Sequence, residues 1–216
     1  MNHRLIFPGL FFFWLLTLGC GSLSMAELAE VQLAQAPAPV FNQCDPHQKA
    51  VLERALRGAQ DLARNSLQVL NSTPEGSRES SARYREWFGA YDRDNYELVS
   101  SHFQHIYDAL ATQTLTFSCI CSDLKLAYVH PDQPYEITLC ASFWSAPVAG
   151  TDSQAGTIVH EISHFVAVAG TQDVTYSQRL VRMTAEYIPA KAVTNADSYK
   201  YFAENNPPLE PLAPDL

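Results

Sequence analysis

The five residues His160-Glu161-Ile162-Ser163-His164 carry the clearest chemistry in the chain. On a helix, side chains four apart leave the same face about one turn apart, so two imidazoles at this spacing can share one metal ion. Zinc accepts imidazole nitrogen at about 2.0–2.1 Å and is the ion this pattern serves. A glutamate directly after the first histidine can hold the attacking water and take its proton. A catalytic zinc also needs a third protein ligand and an open position. Asp173, nine residues after His164, is the candidate, because Gly170 lets the chain reverse and bring a carboxylate back beneath the helix. Tyr176 follows three residues later, where a phenol can donate to the oxyanion of a tetrahedral intermediate. Asp173 is preferred over Glu186, which lies 22 residues past His164. Ser163 has no nucleophile-elbow context and is not read as a nucleophile. His102 and His105 have no acid or cysteine partner nearby in sequence, so they read as hydrogen-bonded or surface residues.

These residues need elements to hold them. Asp152 and Ser153 can cap a helix around the motif, with Thr157, Ile158, Val159, Ile162, Phe165 and Val166 as its packing atoms. Ala169-Gly170 can end it. Upstream, Asp45-Pro46 starts a long amphipathic helix whose apolar residues run at three-to-four spacing from Val51 to Leu70. A polar break covers 71–81. A second helix carries Tyr84, Trp87 and Phe88, which with Tyr91 read as core. A third, at 94–111, is expected to bury Leu98, Val99, Phe103, Ile106, Tyr107 and Leu110. The period then changes to two. Residues 114–121, 127–130 and 137–140 read as strands separated by proline turns. Helices, a small antiparallel sheet, then helices make the class α+β.

The chain is expected to be exported. Met1-Asn2-His3-Arg4 is a short basic start, and the apolar run Leu5–Leu18 is shorter than the roughly 20 residues of a spanning helix. Ser24-Met25-Ala26 fits signal cleavage after residue 26. Alternatively, Leu16-Thr17-Leu18-Gly19-Cys20 is a loose lipobox, with 1–19 removed and Cys20 lipidated. Residues 27–43 read as an Ala/Gln/Pro-rich linker, too short for a folded inhibitory propeptide. The domain is expected at 44–207, followed by a Pro-rich tail at 208–216. Beyond Cys20 the cysteines are Cys44, Cys119, Cys121 and Cys140, an even set suited to an oxidising compartment. Cys119 and Cys121 point to one face of a strand and would strain against each other, so each is expected to pair outward. Loss of residues 1–26 removes Arg4 and no acid, which leaves 13 basic and 23 acidic residues and a net charge of −10. That balance argues against nucleic acid or an anionic membrane surface as partner.

The motif and its surroundings resemble the aspzincins, the deuterolysin and peptidyl-Lys metalloendopeptidase group of zinc peptidases. The likeness runs through Gly156–His164 and Gly170–Tyr176. It extends to Cys119-Ile120-Cys121, Leu139–Trp144, Asn195-Ala196-Asp197 and Tyr201–Pro207, and so covers about 44–207. The resemblance implies a mostly helical zincin-like domain and one Zn²⁺ on His160, His164 and Asp173. It implies Glu161 as general base and then acid, and Tyr176 as transition-state donor. It also implies disulfides Cys44–Cys119 and Cys121–Cys140. Protein or peptide substrates and a monomeric secreted or periplasmic enzyme are expected, attached to membrane only if Cys20 carries lipid. Two positions depart from the family pattern. Ser177 stands where glycine is usual, which costs strain if φ is positive there. Lys200 stands where the peptidyl-Lys members have a second acid, three residues after Asp197. On a helix the two would pair, so strict cleavage before lysine is not expected. A milder basic preference on the P1′ side would rest on Asp197 as a substrate-binding residue. Rival expectations are a zinc-containing envelope protein that cleaves nothing, and a hydrolase of cell-wall peptides.

Overall fold

Asp45 and Gln48 close the start of α1 (Pro46–Ser72) reciprocally. Asp45 Oδ1 accepts from Gln48 N at 2.8 Å, and Gln48 Oε1 accepts from Asp45 N at 2.9 Å. From this cap the helix presents Leu52, Ala55, Ala59, Ala63 and Leu70 to the core. The computed structural model describes residues 37–209. The expected signal, Cys20, most of the linker and most of the tail lie outside the described residues. Among the described residues no helix is long and apolar enough to cross a membrane.

α2 (Ala82–Phe88) and α3 (Arg93–Thr112) follow, then β2 (Thr116–Ser118), β3 (Ala127–Val129) and β4 (Glu136–Leu139). α4 (Gln154–His164), α5 (Gln178–Tyr187), α6 (Pro189–Ala192) and α7 (Ala196–Glu204) complete the described chain. The fold is mostly helical α+β, as expected. Tyr84, Trp87 and Phe88 are core, within 1 % of full burial, and their rings pack against Tyr96, Tyr199, Tyr201 and Phe202. Leu98 is exposed instead, and Tyr107 is half-buried.

The sheet is mixed rather than antiparallel. Its order is β1-β2-β4-β3, with β1 (Val40–Asn42) parallel to β2 and β2 parallel to β4; only β3 runs antiparallel to β4. β1 lies within the expected linker, so the ordered domain begins before Cys44. A three-residue strand shows no usable alternation, and pairing with β2 is what makes it one. β2 is shorter than the expected 114–121. It ends at Ser118, and the two cysteines beyond it turn away into separate disulfides, Cys44–Cys119 and Cys121–Cys140. β3 closes one edge, with its outer side facing the cleft.

α4 is buried all round, between α1 and α7, with α3 and β3 at its flanks. A helix of 11 residues is marginal alone, so packing holds it. Two close approaches allow this. Ala155 meets Gly58 of α1, and a Cβ at Gly156 would stand 2.1 Å from Glu204 Oε1 of α7. The Glu204 carboxylate accepts from Asp152 N, Ser153 N and Ser153 Oγ, which places an anion at the positive end of α4. Arg83 does the reverse for α7. Its guanidinium donates to the Phe202 and Ala203 carbonyls at that helix's end.

α7 is also pinned from α3. Tyr199 Oη donates to Val193 O at 2.8 Å, so His102 Nδ1–H, 2.6 Å from the phenol oxygen, is the donor there. Burial, helped by the nearby His105, pushes His102 down to about 4. The folded value lies below the ordinary histidine value of about 6.5. Between the two the unfolded chain binds more protons, so this contribution to stability is present at neutral pH and lost as pH falls from about 6.5 to 4. Thermal melts of His102→Gln should therefore show a shallower fall in Tm across that range than the native chain. An equal slope in both would remove His102 as a cause.

Candidate metal centre

Ser153, not Asp152, caps α4, with Oγ accepting from Gly156 N at 2.9 Å. The helix stops at His164, five residues before the expected end. Phe165 takes an extended conformation and Val166 turns outward, 73 % exposed rather than packed. Gly170 then adopts φ +59°, and Thr171 N donates back to Ser163 O. Gln172 pairs with the segment entering α7, and the Asn195 side chain accepts from Val174 N and Thr175 N. This clamp returns Asp173 to the open end of α4.

The three candidate ligand atoms form a small triangle. His160 Nε2 and His164 Nε2 are 3.1 Å apart, and Asp173 Oδ1 lies 3.1 Å from the first and 3.3 Å from the second. Bonds of 2.0–2.1 Å to a tetrahedral ion put ligand atoms roughly 3.3 Å apart. The triangle therefore has the size that zinc needs. The opposite ring nitrogens are already committed. His160 Nδ1–H donates to Asp197 Oδ1 at 2.8 Å and His164 Nδ1–H to Thr171 O at 2.9 Å. With both Nδ1 atoms protonated, two neutral imidazoles aim their Nε2 lone pairs at each other and at a carboxylate. Only a cation makes that arrangement favourable.

Burial works to lower His160, but Asp173 and Asp197 outweigh it and push the group up to about 9. Burial alone would raise Asp173, yet the two imidazoles hold its carboxyl well below the usual range. Glu161 lies in the same cluster, its carboxylate oxygen and the two imidazole nitrogens all within 4.8 Å of one another. Burial raises its carboxyl. Tyr176 stacks its ring on His160 with centroids 6.4 Å apart. Tyr176 is 57 % exposed, and the desolvation of its partly covered ring together with the Asp173 carboxylate raises its phenol, so it stays a donor. Ser177, next to it, has φ 69°, a conformation that favours glycine and costs a serine on the order of 1–3 kcal/mol.

His160, Glu161, His164, Asp173 and Tyr176 line one cleft of about 790 Å³, whose far wall is Leu124–Val129 with β3. Asp197 and Lys200 line it too, but Asp197, expected to receive a basic substrate side chain, is 2 % exposed. Its Oδ1 is taken by His160 and by Lys200 Nζ at 3.0 Å. The pairing of Lys200 with Asp197 follows from helical spacing. Its second bond, to Asp152 at 2.9 Å, joins α7 to the loop before α4 and had no signal in sequence. The same holds for the Thr171 carbonyl, a backbone atom that any residue supplies. His102 and His105 lie away from the cleft lining, bound to Tyr199 and to Val168 O. Glu186 is not among the cleft residues either.

Residues 74–204 match the aspzincin family model, described as lysine-specific metallo-endopeptidase. An extracellular protease of Aeromonas hydrophila is 47 % identical over 186 residues, which is 86 % of this chain and 52 % of that protein. A peptidyl-Lys metalloendopeptidase of Pleurotus ostreatus is 44 % identical over 170 residues, covering 78 % of this chain and 98 % of that one. Among solved structures, a zinc peptidase from Grifola frondosa superposes with a TM-score of 0.71 at 36 % identity, over 77 % of this chain and all of that one. The chain thus spans about half the length of the Aeromonas relative and nearly all of the Pleurotus relative.

Proposed function

As the chain belongs to the aspzincin metallopeptidases, we propose that it is an exported zinc endopeptidase holding one ion on His160, His164 and Asp173. The triangle of Nε2, Nε2 and Oδ1 atoms, sized for a tetrahedral ion and with both Nδ1 atoms committed to outer partners, carries this reading. When bound, zinc supplies a Lewis acid that acidifies water and polarises the scissile carbonyl.

The side chains do the rest. Glu161, buried beside the imidazoles, takes a proton from the attacking water and returns it to the leaving amine nitrogen. Tyr176 keeps its proton and donates it as a hydrogen bond to the developing oxyanion. Asp197 and the Thr171 carbonyl fix the two ring orientations, so Nε2 is the free nitrogen in each. The edge strand β3 and the cleft beside it are open to an extended chain, which suits protein and peptide substrates. Export rests on the signal at 1–26, or on lipidation of Cys20 after loss of 1–19, together with two disulfides and an extracellular relative.

The test is digestion of an unfolded protein by the purified chain, read by mass spectrometry. Cleavage should occur, stop with a chelator and return with zinc. Cleavage that survives the chelator, or a zinc-loaded chain that leaves the unfolded protein intact, would overturn the proposal.

A further inference from the structure

The cleft wall beside His160 carries an ammonium group of the protein's own. Lys200 is 5 % exposed, yet it lines the cleft together with Asp197, His160, Thr157 and Ser142. Its Nζ is held on two sides, 3.0 Å from Asp197 Oδ1 and 2.9 Å from Asp152 Oδ1. Tyr201 reinforces this clamp by donating to the same Asp152 oxygen at 2.7 Å, and its ring lies 4.3 Å from Nζ. Burial opposes the charge, but the two carboxylates hold it above the ordinary lysine value, so the group is a fixed cation.

Building on the peptidase reading, we infer that Lys200 is a specificity-determining residue: it neutralises the cleft's acidic wall and makes this subsite prefer an uncharged substrate side chain to a lysine. Apart from Glu161, Asp197 is the buried carboxylate among the described residues that line the cleft, and its Oδ1 already serves His160 and Lys200. Its Oδ2 has no hydrogen-bond partner but is itself buried, so a visiting ammonium is limited to the cleft beside it. A cation there would sit within a few ångströms of Lys200 Nζ, in a cleft where charges are poorly screened. What Asp197 offers, Lys200 takes back. The opposite wall, with Leu124, Leu126, Ala127 and Val129, suits an apolar stem without a charged end.

Two measurements test this. The first compares cleavage sites in an unfolded protein for the native chain and for Lys200→Met, which keeps the apolar stem and removes the charge. The native chain should show no enrichment of lysine at the positions flanking the cut. In Lys200→Met, kcat/KM for lysine-containing peptides should rise roughly tenfold relative to matched norleucine peptides. The second needs no turnover. N-acetyl-lysine amide and N-acetyl-norleucine amide differ in the charged end, and their binding to the zinc-loaded native chain is read by NMR titration. Norleucine should bind at least as tightly, with the order reversed in Lys200→Met. Lysine enrichment at native cut sites, or tighter native binding of the lysine amide, overturns the inference even if the variant fails to fold. Absence of any cleavage with the binding order as expected would instead reject the peptidase reading and leave the role of Lys200 standing.

Discussion

Glu161→Gln is expected to keep the fold and the zinc and to lower kcat on the order of 10³-fold, the range in which a positioned general base acts. Glutamine has the shape of glutamate and fills the same buried space, 5 % exposed between the imidazoles and the cleft. It cannot take a proton. The three atoms of the candidate metal triangle belong to other residues, so zinc content should stay at the native level. Steady-state kinetics with metal analysis on the same sample separates the two effects. Full turnover in this variant would mean that some other group accepts the proton.

Asp173→Ala should act on the metal itself. Its Oδ1 is the third corner of the triangle, and without it two neutral imidazoles remain as the protein's hold on the ion. The loss in zinc affinity should exceed the roughly 10–100-fold seen when only an outer partner of a ligand changes. The Asp173 side chain is 45 % exposed, so truncating it opens no buried cavity, but it removes the carboxylate that pairs with both imidazoles, so the melting temperature without zinc should fall at neutral pH. Asp173→Asn keeps an oxygen without its charge and should fall between the two. Competition with a chelator of known affinity measures all three chains. A truncated variant that holds zinc like the native chain would show that the carboxylate is no ligand.

Much of this site was readable because its parts are local. His160, Glu161 and His164 sit on one helix, where spacing alone sets which faces they share. The turn to Asp173 needed a residue tolerant of positive φ, and Gly170 supplies it. The long helices were readable too, since α1 and α3 repeat their apolar residues over many turns. The sheet was harder. Three of its strands are only three residues long, and whether neighbours run parallel depends on the path of the connections rather than on alternation. The early end of α4 was missed because Phe165 and Val166 continue its apolar pattern while the chain leaves the helix.

The sequence by itself determined the chemistry of the centre: two imidazoles and a glutamate in helical register, a reversible turn, a carboxylate and a phenol within reach. Only the tertiary structure decided the state of those groups. Asp197 commits one ring nitrogen, Thr171 the other, and Lys200, held also by Asp152, pairs with Asp197 beside them. The physical reason is range. Helical geometry acts between residues a few positions apart, whereas the field at a buried site is the sum of charges and dipoles delivered by segments 37 and 48 residues away along the chain.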